Sequence, residues 1–188
     1  MPKLWTDTVA DHRRAVRDAV LDATAALVAE QGLASVAMTQ VADRAGIGRA
    51  TLYKYFPDLE SVLAAWHERQ VAGHLAQLTA ARDRAGTALD RLAAVLHAYA
   101  WLSRGHDGSQ LAAALHRGAH ADAARRRLHD FVRELVAEAA RDGRVRTDVP
   151  PDELADYVTA ALSAAGAAED AAVARLVAVT LDGLRAAR

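Results

Sequence analysis

The 188-residue chain has no cysteine, which excludes disulfides, thiolate zinc sites and cysteine nucleophiles. The same absence fits a reducing compartment. Only 4 prolines and 11 glycines interrupt it, and aromatic residues make up just 5%. A composition so poor in aromatics leaves little from which to build sheet. Neither sign of charge dominates, since 23 Lys+Arg face 24 Asp+Glu. Any surface for a polyanion must therefore be local. Long hydrophobic runs are missing too: the longest late uncharged stretch, residues 157–168, falls short of the roughly 20 residues of a membrane span. The first residues carry Asp7 and Asp11 and no apolar stretch suited to a signal peptide. The expectation is a soluble cytoplasmic protein with no membrane partner.

What the chain does have is alanine, 47 residues of it, the best helix former. The excess of arginine over lysine, 21 to 2, fits codon usage in a GC-rich genome and carries no functional weight. Apolar residues recur at steps of three and four through most of the sequence, which is the helical signature. Helices are expected over residues 12–31, 38–45, 49–56, 58–81, 87–105, 108–117, 121–141, 151–168 and 170–187. That makes an all-α chain of about nine helices. No fixed repeat suggests a solenoid. The organisation read from these breaks is a flexible arm at 1–11, a helix-turn-helix domain at 12–58 with its motif at about 37–56, and a larger domain at 59–188.

Two short helices joined by a glycine turn outline a helix-turn-helix, whose second helix enters the DNA major groove. Val41 and Ala42 give the first helix a small apolar side. Gly46 can take the left-handed conformation that ends it, and Ile47 can fill the angle between the helices. Leu52 and Phe56, four apart, define the buried face of the second helix. Ala50, Thr51 and Lys54 then fall opposite, with Arg49 at the N-terminal turn and Tyr53 and Tyr55 at the flanks. No carboxylate occurs from Arg49 through Phe56. Such a surface suits DNA.

Across residues 41–63, and most specifically in Ala45-Gly46-Ile47-Gly48 and Thr51-Leu52-Tyr53-Lys54-Tyr55-Phe56, the chain resembles the TetR family of transcriptional regulators. The likeness is strong over residues 12–66. It is looser beyond, where Gly143-Arg144-Val145-Arg146-Thr147-Asp148-Val149 and Leu181-Asp182-Gly183-Leu184-Arg185 also look like this family. The resemblance implies a helical homodimer with a three-helix DNA-binding domain and a ligand-binding and dimerisation domain. It implies that Arg49, Ala50 and Thr51 contact bases, and that Tyr53, Lys54 and Tyr55 bind phosphates. Two positions depart from the family pattern. Ala37 stands where a Ser or Thr usually caps the second helix, a loss of about 1 kcal/mol, and Thr39, with Gln40 beside it, can replace the missing phosphate contact. Leu59 stands where a lysine is common. Charge sets a further demand, because residues 1–60 hold 7 Lys+Arg and 8 Asp+Glu. Attraction must come from a patch of Arg44, Arg49 and Lys54, with Lys3, Arg13, Arg14 and Arg17 as candidates to extend it. The plainer alternative is a packed helical corner with a solvated face.

The last two helices carry regular stripes: Leu154, Tyr157, Val158, Ala161, Leu162 and Ala165 in one, and Val173, Leu176, Val177, Thr180, Leu181 and Leu184 in the other. Such stripes can pair two subunits in a four-helix bundle, as the resemblance implies, or serve only their own domain. Trp66, His97, Tyr99, Trp101, Leu115, His116 and Phe131 lie on helices that enclose the family's ligand pocket. Their apolar character suits a hydrophobic or aromatic effector, though such residues also fill ordinary cores. His116 and His120 share a helix face if the helix continues through Gly118, but a zinc site needs about four ligands, so no metal is expected. A di-iron bundle is excluded by the absence of Glu-x-x-His. Arg125-Arg126-Arg127 reads as a solvated helix start rather than an anion site. With no Gly-x-Ser-x-Gly and no phosphate-cradling loop, neither an enzyme nor a cofactor is expected. The reading is a repressor that binds palindromic operator DNA and is released by a small molecule. The alternatives are an activator, a regulator without a ligand, or a helical sensor without DNA binding.

Overall fold

The structure, a computed structural model, describes residues 3–104, 119–165 and 169–186, side chains excepted at 3–8 and 119–122. Among them are eight α-helices: α1 (Lys3–Gln31), α2 (Met38–Ala45), α3 (Arg49–Tyr55), α4 (Leu59–Asp83), α5 (Ala88–Arg104), α6 (Ala119–Arg141), α7 (Pro151–Ser163) and α8 (Asp170–Leu184). No strand occurs among the described residues, only an isolated antiparallel bridge between Val145 and Arg185. The all-α expectation holds. The helix expected over 108–117, which contains Leu115 and His116, lies outside the described residues, as do residues 166–168. No helix of the described residues is long and apolar enough to cross a membrane.

Three boundaries differ from the sequence reading. Helix α1 begins at Lys3, so residues 3–11 are helical where an arm was expected. No glycine or proline interrupts residues 3–31, and once a helix exists each added residue gains a hydrogen bond without a new nucleation cost. Helix α7 stops at Ser163, whose hydroxyl donates to the Ala160 carbonyl as the chain turns. Helix α8 stops at Leu184, because the Leu184 carbonyl accepts the Arg146 N–H at 2.9 Å and Arg185 turns extended into its bridge. The two C-terminal motifs singled out in the sequence thus meet, and the Arg146 guanidinium also reaches the Asp148 carboxylate.

Local chemistry explains where other helices start. Ser61 N–H donates to the Asp58 side chain at 2.8 Å and Asp58 N–H to the Ser61 hydroxyl at 3.4 Å, a reciprocal cap for α4. Thr87 and Asp90 do the same for α5. Pro151 opens α7, where a missing N–H is harmless.

The chain forms two compact units, one up to Gln70 and one from Val71. The first is built on Val20, Leu21, Leu27 and Val28 of α1, Val41 and Ala42 of α2, Leu52 and Phe56, and Val62 and Leu63 of α4. Because the start of α4 belongs to this core, the unit runs past the boundary expected at residue 58. The second core draws Leu92, Val95 and Leu96 from α5, Val132 and Val136 from α6, Val158 and Leu162 from α7, and Val173 and Val177 from α8. Alanines at 100, 139, 155 and 165 are buried among them.

Candidate nucleic-acid interface

The turn between α2 and α3 is built by its glycine. Gly46 ends α2 with φ 68°, in the left-handed region, where a Cβ would be strained. Ile47 N–H donates to the Ala42 carbonyl at 3.0 Å, closing the turn behind it. Seven residues cannot hold a helix alone in water. Helix α3 is held because Leu52 is fully buried and Phe56 is 2% exposed; each contributes about 1.5–3 kcal/mol of burial. That anchoring fixes the opposite side outward. Arg49, Ala50, Thr51, Tyr53 and Lys54 are exposed, while Tyr55 is half-buried against the core.

The near-neutral charge of this region resolves into separate faces. Asp18 and Asp22 of α1 are tied to Arg69 of α4, the closer pair at 2.6 Å. Glu30 takes both Arg44 Nη atoms, at 2.9 and 2.6 Å. Asp58 caps α4 and Asp11 pairs with Arg14. Arg13, Arg17, Arg49 and Lys54 have no carboxylate partner among the described residues. These five acids are engaged, while Asp43 and Glu60 are exposed outside α3, which carries basic charge alone.

Two residues expected at the interface have partners within the unit. Arg44 is engaged with Glu30, joining the end of α2 to the end of α1. This contact raises the guanidinium pKa and lowers that of Glu30, chiefly through the side-chain hydrogen bond. Gln40 accepts the Ala37 N–H at 2.8 Å and the Gln31 side-chain amide at 3.2 Å. It supplies the half of a capping box that does not need a hydroxyl at Ala37, which softens the loss expected there. Thr39 is half-buried at the start of α2. Sequence reasoning missed Glu30 and Arg69. The only signal was an acidic residue at the end of α1 and an arginine one turn beyond Trp66.

Of the residues expected in a ligand pocket, Leu115 and His116 lie outside the described residues. His97 is exposed, and Trp101 is half-exposed with the Arg104 guanidinium 4.6 Å from its ring centre. Tyr99 and Phe131 are half-buried against the second core. Burial pushes the Tyr99 phenol up, with Ser103 acting in the opposite direction. Phe131 lines a surface depression of about 370 Å³ shared with Arg82, Arg133, Glu134 and Arg141. Trp66 packs against the first core, its Nε1 buried without a partner among the described residues.

Of the stripes on α7 and α8, Val158, Leu162, Ala165, Val173, Val177, Thr180 and Leu184 are buried within the chain's own core. Ala161, Leu176 and Leu181 are half-buried, and Tyr157 is 47% exposed. Beside them Val179 is 66% exposed, with Ala160, Ala164, Ala174 and Ala178 also outward.

An all-α chain whose first unit presents a glycine-turned helix pair with an unpaired basic outer face is, by fold and site, of the helix-turn-helix regulator class. Residues 20–66 match the family described as "Bacterial regulatory proteins, tetR family", and residues 84–186 match "Transcriptional regulator SbtR-like, C-terminal domain". The second match alone covers more than half of the chain, which belongs to the TetR family of transcriptional regulators, proteins that are regulators and not enzymes. Comparison with curated proteins finds no match. Among solved structures, a regulator of the TetR/AcrR family from Thermobifida fusca is 22% identical with a TM-score of 0.74, covering 90% of this chain and 98% of its own. The fatty acid degradation regulator FadR from Bacillus halodurans is 16% identical with a TM-score of 0.68, covering 90% and 96%. RolR, solved with resorcinol, is 22% identical with a TM-score of 0.62, covering 93% and 90%. At these identities the likeness is one of fold.

Proposed function

We propose that the chain is a cytoplasmic, homodimeric repressor that binds palindromic double-stranded operator DNA through α3 and releases it when a small hydrophobic or aromatic molecule binds. The observation that carries this is the α3 surface: Arg49, Thr51, Tyr53 and Lys54 exposed on a helix locked from behind by Leu52 and Phe56. Arg49, at the first turn, is the base reader, suited to guanine O6 and N7, with Ala50 and Thr51 beside it. Tyr53, Lys54 and Tyr55 bind phosphates and set register, and Thr39 adds a contact from α2. Gln40 and Arg44 hold α2 in place behind them.

The dimer uses the outward side of α7 and α8, where Tyr157 and Val179 are exposed among small alanines that allow close helix approach. Effector binding belongs to residues 59–188; the resorcinol seen in RolR supports an aromatic ligand class. A mobility-shift assay on the DNA upstream of the protein's own coding sequence tests the reading. A discrete shift that Arg49→Ala weakens supports it, and a shift unaffected by Arg49→Ala and Lys54→Ala contradicts it.

A further inference from the structure

Helix α1 extends well ahead of the segment that matches the DNA-binding family: the match begins at residue 20 and the helix at Lys3. Its two sides differ in charge. Asp11, Asp18 and Asp22 fall at steps of seven and four on one side, where the last two hold Arg69 of α4. Arg13, Arg14 and Arg17, at steps of three and four, share the neighbouring side, and all are exposed.

The position of this basic side is fixed by one contact. The Arg17 guanidinium lies 4.9 Å from the centre of the Phe56 ring, and Phe56 is the residue that ends α3. The arginine ridge thus starts beside the end of the recognition helix and climbs away from it along α1, about 6 Å from Arg17 to Arg13 at 1.5 Å per residue. Arg13 has no carboxylate partner among the described residues. Arg14 has only Asp11, at 2.6 Å with both side chains about 70% exposed. Exposed pairs of this kind are worth little, so a phosphate can displace the carboxylate.

We propose that Arg13 and Arg14 form a second DNA-binding surface, which clasps backbone phosphates flanking the half-site read by α3. The inference rests on the reading of α3 as the recognition helix and adds contacts outside the matched motif. Phosphate contacts without base contacts leave sequence preference unchanged and raise salt sensitivity by about 0.9 in slope per contact.

The test compares wild type with the Arg13→Ala/Arg14→Ala double variant. The probes are a duplex recovered by selection from random DNA, the same duplex trimmed to its protected core, and a mixed-sequence duplex. The expected result is a salt slope lower by about 3.6 in the variant on the long duplexes, for two lost contacts in each subunit of the dimer, a shorter hydroxyl-radical footprint at both flanks, and an unchanged selected sequence. Between about 50 and 200 mM salt, wild type then loses about 150-fold more affinity than the variant. On the trimmed duplex the two proteins should bind alike. Equal slopes and equal footprints on the long duplex overturn the proposal while leaving the recognition helix intact. Failure of wild type to select any sequence overturns the reading of α3 itself, and this inference with it. Unchanged far-UV circular dichroism and melting of the variant exclude a folding defect.

Discussion

Arg49 and Lys54 share one exposed helix but are assigned different tasks, and mutation separates them. Lys54→Ala should weaken binding about evenly across sequences and lower the salt slope by about one for each subunit bound, about two for the dimer. Arg49→Ala should instead cost about 1–3 kcal/mol at each half-site and relax preference at one base pair of each; equal weakening at every sequence would make Arg49 a phosphate clamp. Arg44 gives a sharper contrast. As a brace bound to Glu30, it should respond alike to either truncation: Glu30→Gln and Arg44→Ala should both weaken operator binding in fluorescence anisotropy. If Arg44 were a DNA contact held back by Glu30, Glu30→Gln would strengthen binding. The α3 residues were legible because the sequence pattern fixes both the turn and the buried face. The contacts of Gln40 and Arg44 with α1 were not, because Gln31 and Glu30 lie 9 and 14 residues earlier, and periodicity within one helix does not report a contact with another.

Each helix also shows how far local signals reach. Gly46, Pro151 and the breaks at Gly32 and Pro57 were readable, since each imposes a backbone constraint wherever it stands. The start of α1 was not, because nothing in residues 3–11 stops a helix once the following turns have formed. The stripes of α7 and α8 were visible, but a stripe does not say what it faces. Val158, Val173 and Val177 are buried in their own core, and Val179, outside the stripe, is exposed. Helix α3 depends on its anchor, so Leu52→Ala should cost about 2–5 kcal/mol in chemical denaturation and abolish operator binding. The α5 cap carries a pH signature. Thr87 holds the Asp90 carboxyl below its ordinary range through side-chain and backbone hydrogen bonds. A depressed folded pKa gives stability that is full above the unfolded value of about 3.9 and is lost as pH falls through the folded value. Thr87→Ala, which removes this cap, should therefore lower stability at neutral pH, and its gap from wild type should narrow on acidification below about pH 4.

At the scale of the whole molecule, the proposed regulation requires two copies and a ligand acting on the same equilibrium. Val179→Glu puts a charge on the proposed dimer face at an already exposed position, so the fold should survive while sedimentation shifts from dimer to monomer. A variant that stays dimeric would move the interface elsewhere. An effector that lowers operator affinity by about 5–150-fold must lose the same factor in its own affinity when operator is present. Calorimetric titration with and without DNA checks that reciprocity for any compound found by thermal shift. Beneath all of this stands the claim that α3 reads DNA sequence for a two-fold symmetric protein. The most direct measurement is selection of bound fragments from a random duplex library by wild type and by Arg49→Ala. Wild type should enrich a dyad-symmetric sequence whose half-site centres lie about 34–36 Å apart, or a multiple of that, and Arg49→Ala should lose preference at one symmetry-related pair of positions. Enrichment of no sequence, or of one without dyad symmetry, would contradict it.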